Sequence, residues 1–216
     1  MPPVDPNTVS LFRDSVHIPE HYWQELSAMD PEDVCRRALV SYEAHKGYEV
    51  PFLHQRYLCQ PEARLILCQD SPVKPLSFQE YLVLLVYLIK AQDFPLERKR
   101  ISEREIPGGD LFFRGPHALL KEPLEKRFGK DPKGFLDCGQ SLGGRETGKG
   151  DASFELRVLP RVLVEYILYG EDEEFPAQIN INFDGTVYRH LPLDVIWAMI
   201  NVTGRRLLAN ENLEVA

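Results

Sequence analysis

A glycine-rich stretch at residues 143–151 carries the residue types best suited to holding a small anion. Glycine lets successive backbone N–H groups converge, and neighbouring basic side chains add positive charge. The stretch lacks the Gly-Lys-Ser/Thr element of a P-loop, and it leads into a predicted strand, unlike a dinucleotide-binding loop. The alternative is a solvated connector between two elements. The candidate ligand-binding residues of this stretch are Gly143, Gly144, Arg145, Lys149, Gly150 and Asp151.

Three titratable residues beside predicted turns form a candidate acid–base group. Asp151 opens one predicted strand, Asp184 ends another, and His190 follows the next turn. Two carboxylates and an imidazole at one end of a sheet could perform general acid–base catalysis or bind a hard metal ion. Each residue also has a structural interpretation, since Asp-Gly is an ordinary turn pair and a histidine can fill a junction. We predict a pocket with Asp151 and the loop on one rim and with Asp184 and His190 opposite, provided that the chain folds back at Pro160.

Arg161 is a further candidate ligand-binding residue because it lies inside an apolar segment, directly after Pro160. An unpaired buried charge is very costly, so an inward guanidinium needs a carboxylate partner. Asp151 or Asp184 could supply that partner. A structural ion pair of this kind is favoured over a catalytic role.

The four cysteines give no metal or redox signature. They are Cys35, Cys59, Cys68 and Cys138, and none forms a Cys-x-x-Cys pair. A hairpin with its turn at residues 60–63 would put Cys59 opposite Arg64 and Cys68 opposite Gln55, about 13 Å apart, too far for a disulfide. We therefore predict four reduced thiols and no metal site built from them. Hydrolase and zinc-protease signatures such as Gly-x-Ser-x-Gly and His-Glu-x-x-His are absent, and no cofactor is identified.

The charge and hydropathy patterns exclude several classes of partner. A formal net charge of −8 argues against a general nucleic-acid binder, although the middle of the chain is mildly basic and could hold a small anion. The longest apolar run, from Tyr81 to Ile89, is too short to cross a membrane. No signal-peptide pattern is visible, so we expect a cytoplasmic location. The acidic segment "GEDEEFP" is a solvated turn or, alternatively, a contact for a basic protein partner.

The pattern of elements predicts an α+β fold with an antiparallel or mixed sheet. A helix over residues 77–92 has Ser77 and Glu80 in capping-box spacing and is apolar on all sides, which makes it the predicted centre of the core. Residues 177–184 alternate between apolar and polar, as in a half-buried strand. Further helices are predicted from Asp30 to a stop at Gly47 and over residues 191–204. Residues 1–216 are predicted to form one domain, with an irregular arm over residues 1–17.

An ordered set of short segments in this chain resembles a known family. The segments are "REIPGGDLFF", "LGG", "GDASFEL", "LPRVLV", "GEDEEFPAQININFD" and "HLPLD". Their order resembles an uncharacterised bacterial and archaeal family known only as a domain of unknown function, and it covers about the C-terminal two thirds of the chain. Some relatives carry an N-terminal iron–sulfur module like that of corrinoid iron–sulfur proteins. This chain has no cysteine before Cys35, and Leu163 and Tyr169 replace a proline and a tryptophan of the family pattern.

Three hypotheses about function follow. The first is a cytoplasmic accessory or small-ligand-binding protein, which the resemblance associates with cofactor-dependent anaerobic metabolism. The second is an enzyme that uses Asp151, Asp184 and His190 beside the glycine-rich loop. The third is a structural domain that contacts another protein. A formed pocket would favour the first two, and a perturbed acid or histidine within hydrogen-bond reach of another would favour the second.

Overall fold

Two antiparallel sheets organise the chain in a computed structural model that describes residues 18–71 and 75–209. The first sheet has the strand order β1-β2-β3-β4 and the second has the order β5-β9-β8-β7-β6. The α+β class is therefore confirmed, with two sheets where one was expected. The predicted arm over residues 1–17 lies outside the described residues. The strands are β1 (Ser41–Glu43), β2 (Gly47–Phe52), β3 (Gln55–Gln60), β4 (Leu65–Cys68), β5 (Arg100–Ser102), β6 (Arg145–Glu146), β7 (Ala152–Leu159), β8 (Val162–Tyr169) and β9 (Gln178–Asp184).

Eight α-helices within the described residues pack with these sheets. The buried side chains of the helices and of both sheets form one continuous hydrophobic cluster. The helices are α1 (Glu20–Ser27), α2 (Pro31–Ala38), α3 (Phe78–Lys90), α4 (Gly109–Phe112), α5 (Glu122–Phe128), α6 (Pro132–Ser141), α7 (Val187–His190) and α8 (Leu193–Ala209).

Helix α3 is the centre of the core, as its uniformly apolar sequence predicts. The Ser77 hydroxyl accepts a hydrogen bond from the Glu80 N–H at 3.3 Å, and the Glu80 carboxylate accepts one from the Ser77 N–H at 2.8 Å. This reciprocal cap fixes where the helix begins. Leu84, Leu85 and Leu88 are completely buried. Burying each leucine contributes about 2 kcal/mol, so this helix anchors the fold.

Helix α8 is longer than the sequence predicts. The prediction ended the helix at Gly204, but the helix continues to Ala209. A Cβ at Gly204 would lie 2.5 Å from the Leu120 Cδ2 atom. This glycine therefore permits close packing inside the helix instead of ending it. The continuation carries Arg206 to the first sheet.

Helix α2 is shorter than predicted. It ends at Ala38, with Leu39 in the left-handed conformation at a φ of 53°, and the following residues form β1. Gly47, the predicted stop, lies in β2 at a φ of +107°, where a Cβ would come within 2.2 Å of the Cys59 carbonyl oxygen. The glycine is required by the close approach of β3. Pairing of β1 with β2 therefore overrides the local helical pattern.

The hairpin of β3 and β4 has a different register from the predicted one. Cys59 pairs with Ile66 and Cys68 pairs with Tyr57. The turn closes through a hydrogen bond from the Arg64 N–H to the carbonyl of Pro61 at 3.0 Å, so the turn lies one residue later than expected. No disulfide joins the four cysteines, all of which lie within the described residues.

Strands β7 and β8 form a hairpin that positions much of the second sheet. Pro160 and Arg161 form its turn, since Leu159 pairs with Val162. Pro160 thus marks a reversal of the chain, one of the irregularities that its sequence suggested. Strand β9 pairs with the other side of β8, and its apolar residues at positions 179, 181 and 183 are buried as predicted.

Candidate functional site

The glycines of the predicted ligand loop serve the framework of the fold. The N–H groups of Gly143 and Gly144 donate to carbonyl groups of α6 at 2.9 and 2.8 Å, which ends that helix. Gly150 has a φ of +56°, and a Cβ there would lie 2.5 Å from the Leu168 carbonyl oxygen. These glycines permit a helix end and a close approach of two backbones. The N–H groups of Gly143 and Gly144 do not converge on an anion site.

The basic side chains of the same loop are engaged in ion pairs on the second sheet. The Lys149 ammonium lies 2.8 Å from the carboxylate of Glu165, which is buried. Arg145 lies 3.3 Å from the carboxylate of Glu155, and Arg100 pairs with the same carboxylate. Arg145 remains 80% exposed along its side chain. The cluster is balanced by its own charges, so these cations hold the loop on the sheet.

Asp151 and Asp184 lie at opposite ends of the second sheet. The Asp151 N–H donates to the Leu168 carbonyl at 2.9 Å, and Leu168 pairs with Ile179 in β9. Asp184 lies five residues farther along β9, about 17 Å away at 3.4 Å per residue. The chain does fold back at Pro160, but this reversal carries Asp151 away from Asp184. The predicted shared pocket between the two acids is not formed.

The Asp184 carboxylate holds the loop before β5. It accepts hydrogen bonds from the N–H groups of Glu97 at 3.1 Å and Arg98 at 2.8 Å. Thr186 donates to it through its N–H at 3.1 Å and its hydroxyl at 2.8 Å. Burial raises the pKa of Asp184, but these hydrogen bonds outweigh burial and the pKa is lowered. Asp184 therefore stays ionised and is a structural acceptor.

His190 is a neutral core histidine. Its side chain is fully buried, and its Nδ1 atom accepts a hydrogen bond from the Gln92 N–H at 3.4 Å. The ring proton must therefore lie on Nε2, which has no partner among the described residues. Burial, reinforced by the charge of Arg161, lowers the pKa of His190 to about 4. An enclosed imidazole of this kind cannot exchange a proton with a ligand at the surface.

Arg161 is inward and paired, but with neither of the two predicted acids. It forms an ion pair with Asp93, in the segment after α3. The guanidinium also donates to the carbonyl oxygens of Arg37 at 2.5 Å, Phe94 at 2.8 Å and Arg36 at 3.1 Å. Two of these carbonyls belong to the end of α2 and carry the negative end of its dipole. Arg161 thus joins the β7–β8 turn to a helix end, which is a structural role.

A cleft of about 290 Å³ lies between the first sheet, the beginning of α3 and the ends of α6 and α8. Leu53, Leu76 and Leu142 contribute apolar walls. We call this feature the Arg206 cleft. None of the site residues predicted from the sequence lines it, although Leu142 directly precedes the glycine-rich loop. Its polar lining comes from His54, Gln55, Tyr57, Ser71, Glu80, Ser141 and Arg206.

Arg206 is the organising residue of the cleft. Its Nη1 atom donates to the Gln55 Oε1 atom at 2.9 Å, and Nη2 donates to the Tyr57 hydroxyl at 2.5 Å and to Glu80 Oε1 at 2.6 Å. The guanidinium also lies 5.3 Å from the ring centroid of Phe52, within the range of a cation–π contact. Only 14% of the Arg206 side chain is exposed. The guanidinium is therefore fixed in one orientation at the floor of the cleft.

The charge states of these groups follow from their surroundings. Burial raises the pKa of Tyr57, so its phenol stays neutral. Burial also raises the pKa of Glu80, but hydrogen bonds from the Ser77 N–H and from Arg206 outweigh it and the pKa is lowered. For Arg206, burial lowers the pKa, and its contacts with Tyr57 and Glu80 outweigh that effect and raise it. The floor of the cleft thus holds a charged pair beside a neutral phenol.

A strained turn brings His54 to the cleft. Leu53 and His54 connect β2 and β3 with φ values of 48° and 62°, a conformation that hairpins normally assign to glycine or asparagine. Each such residue costs about 1–2 kcal/mol. The Leu53 N–H donates to the Val158 carbonyl at 3.0 Å, and Gly143 packs so closely that a Cβ there would lie 2.9 Å from His54. Strain held in place by neighbours in this way is often found at functional sites.

A second cleft, of about 270 Å³, lies between the corner of α1 and α2 and the turn joining β1 to β2. Its charged lining residues, Lys46 and Glu62, are exposed. Lys46 already pairs with Glu43 at 2.6 Å. This cleft lacks the buried ion pair that distinguishes the Arg206 cleft, so the latter is the stronger candidate site.

Sequence reasoning missed the residues of the Arg206 cleft because they are far apart along the chain. Glu80 was interpreted only as the partner of Ser77 in a helix cap, and Arg206 lay beyond the predicted helix end. The one available signal was the spacing of Arg206 from Met199 and Val202, which lie seven and four residues earlier in the last helix and are buried. A helix continued through Gly204 would have placed Arg206 beside the core.

Two other site classes find no support in the part of the chain that the structure describes. No group of three or more His, Cys, Asp or Glu residues there could hold a metal ion. Within residues 18–71 and 75–209, no helix combines the length and apolarity that a membrane-spanning segment needs.

Comparison with known proteins assigns the chain to a family. The sequence profile described as "Domain of unknown function (DUF3786)" matches residues 30–206, so the chain belongs to this family. The match includes Gln55, Glu80 and Arg206. No curated protein and no solved structure matches the chain.

Proposed function

We propose that this member of the DUF3786 family is an accessory protein that binds a small molecule in the Arg206 cleft. The observation that carries the proposal is a concave site with a buried, oriented guanidinium at its floor. Small-molecule sites are typically concave and apolar, with a few convergent polar groups that fix the ligand's orientation. A volume of 290 Å³ equals that of about ten water molecules at ~30 Å³ each, which suits a compact metabolite.

The surroundings of the cleft support a function beyond stability. The turn of Leu53 and His54 carries backbone strain, which a purely structural hairpin could avoid with glycine or asparagine. The buried pair of Arg206 and Glu80 also carries a desolvation cost, and apolar replacements are often at least as stable. Two costly features that meet at one cleft are better explained by recognition than by packing.

The other hypotheses have weaker support. The acid–base hypothesis requires its three residues to lie together at an accessible site, but Asp151 and Asp184 are far apart and His190 is enclosed. A protein partner gains some support from the acidic turn, where Phe175 is 66% exposed. Three further statements stay predictions: a cytoplasmic location, an anion held by Arg145 and Lys149, and the association with cofactor-dependent anaerobic metabolism.

Native mass spectrometry of protein purified from its own host tests the proposal. We expect the wild-type protein to retain a small molecule, seen as a discrete mass increment. Leu142→Trp, which fills one wall of the cleft, should remove that increment. Leu111→Trp adds the same side chain at a residue that is 78% exposed and should leave the increment unchanged. Equal retention by both variants, or no retained molecule on any of the three proteins, would contradict the proposal.

A further inference from the structure

The acceptor atoms at the floor of the Arg206 cleft are already engaged. Glu80 Oε1 accepts from Arg206 at 2.6 Å, and Oε2 accepts from the Ser77 N–H and hydroxyl, both at 2.8 Å. Gln55 Oε1 accepts from Arg206 at 2.9 Å and from the Tyr57 hydroxyl at 3.0 Å. The Tyr57 oxygen itself accepts from Arg206. A ligand that offers mainly donors would therefore find few acceptors on this floor.

Donor groups, in contrast, remain available. Because Arg206 donates to the Gln55 side chain, the contacted atom must be the oxygen, which fixes the orientation of the amide. The two N–H groups of Gln55 Nε2 and the Nε–H of Arg206 make no hydrogen bond to any described residue. The imidazole of His54 at the rim also makes no hydrogen bond within residues 18–71 and 75–209, and a neutral imidazole has one donor and one acceptor nitrogen. A complementary ligand therefore presents acceptors to the floor.

The charge balance narrows the ligand class. The charge of Arg206 is matched by that of Glu80, so the floor has donors but no excess of cations. A dianionic phosphate would bring two charges to a site where the described lining residues include no second buried cation, whereas a single carboxylate needs only the available donors. An ammonium group has only hydrogen-bond donors, which would face the N–H donors of the cleft. Leu53, Leu76 and Leu142 in the walls suit a short hydrocarbon.

We infer that the Arg206 cleft binds a small organic monocarboxylate. Its oxygens accept hydrogen bonds from Gln55 Nε2 and Arg206, and its hydrocarbon part contacts the leucine walls. This inference rests on the proposed function, because it specifies the ligand of the same cleft. Gln55 is then the residue that determines specificity, since it presents a donor to the ligand while its oxygen fixes Arg206.

Three compounds that share one chain and differ only at the polar end test the inference. Hexanoate, hexanamide and hexylamine are titrated into the full-length protein by isothermal titration calorimetry at pH 7. Hydrogen bonds to a charged group are worth more than those to a neutral one, so hexanoate should bind about tenfold or more tighter than hexanamide. Hexylamine should show no binding. Equal affinity for acid and amide, or preference for the amine, would overturn the inference.

The substitution Gln55→Glu provides a sharper test because it keeps the shape and the accepting oxygen. Glutamate can still accept from Arg206 and Tyr57, but its second oxygen replaces the donor that faces the ligand. Hexanoate binding should fall by about tenfold or more, and hexylamine should now bind. The matched control is Gln24→Glu, which adds the same charge at an exposed position of α1. Unchanged hexanoate affinity in Gln55→Glu would overturn the role of Gln55.

Failure of this inference can be distinguished from failure of the proposed function. If none of the three compounds binds, but the host-purified protein still carries a molecule that Leu142→Trp loses, the carboxylate inference is wrong and the binding function stands. If the retained molecule is absent or unaffected by Leu142→Trp, and none of the three compounds binds, both proposals are wrong. Hexanoate binding that Leu142→Trp abolishes and Gln24→Glu preserves supports both.

Discussion

Acid is expected to weaken the fold through His190. Burial, with the charge of Arg161, holds the pKa of this buried side chain at about 4, whereas its ordinary value is 6.5. As the pH falls below 6.5, the unfolded chain binds a proton that the folded chain excludes. The stability that neutral His190 provides is therefore complete above about pH 6.5 and is lost as the pH falls towards 4.

The size of this effect follows from the difference in pKa. A difference of about 2.5 units corresponds to about 3 kcal/mol when the pH is below both values, at 1.36 kcal/mol per unit. At pH 5 most of the unfolded chain is protonated at this residue while the folded chain is not, and the loss reaches about 2 kcal/mol. The charged groups that act on His190 are Arg161, Arg189 and Asp184, and the two arginines favour the neutral ring.

Urea denaturation at pH 7.5 and pH 5.0 measures this loss, with His190→Asn as the comparison. Asparagine does not titrate, and its side-chain oxygen can accept the hydrogen bond from the Gln92 N–H that Nδ1 accepts in the wild type. Between the two pH values the wild type should lose about 2 kcal/mol more than His190→Asn. Carboxylates elsewhere contribute equally to both proteins and cancel. Equal losses would refute the assignment of His190 as a buried neutral histidine.

Four further predictions concern the cleft, the core and the thiols. His54→Gly should raise the free energy of unfolding by about 1 kcal/mol by relieving the φ of 62°, and should weaken hexanoate binding; tighter binding would contradict a role for His54. Gly143→Ala should cost about 1–2 kcal/mol in urea denaturation, because its φ is +81° and a Cβ would touch His54; no loss would contradict this close approach. Leu84→Ala should cost about 2–5 kcal/mol, and a loss below about 1 kcal/mol would remove α3 from the centre of the core. Titration of the denatured, unreduced protein should find four thiols, and fewer would reveal a disulfide.

The sequence predicted those elements that are determined mainly by residues close together in the chain. The cap of Ser77 and Glu80, followed by an uninterrupted apolar run, predicted both the beginning of α3 and its burial. The strict alternation over residues 177–184 predicted which side chains of β9 face the core. In both cases the pattern lies within a few neighbouring residues, and contacts with distant segments favour the same structure as the local pattern.

The predictions were wrong where the structural role of a residue depends on contact with a distant segment of the chain. Gly47 and Gly204 resemble helix stops, but each is required because another segment passes too close for a Cβ. Gly143 resembles part of an anion-binding loop, yet it ends α6 and packs against His54. No local pattern distinguishes these uses of glycine, because the difference lies in the neighbour.

The candidate site could not be predicted for the same reason. Gln55, Glu80 and Arg206 come from a strand, a helix beginning and the last turn of another helix. Only the folded arrangement shows that Arg206 reaches both of the other residues. The chemically conspicuous residues Asp184 and Arg161 are instead held by several hydrogen bonds each and serve the framework.

The most direct test of the central claim follows side-chain N–H groups by ¹⁵N-edited nuclear magnetic resonance while hexanoate is added. If the Arg206 cleft binds this carboxylate as inferred, the Gln55 Nε2 and Arg206 Nε signals should move together and saturate at one affinity. The side-chain amide of Gln24, exposed on α1, should not move. Saturating shifts confined to other parts of the protein, with the Gln55 and Arg206 signals unchanged, would contradict the account.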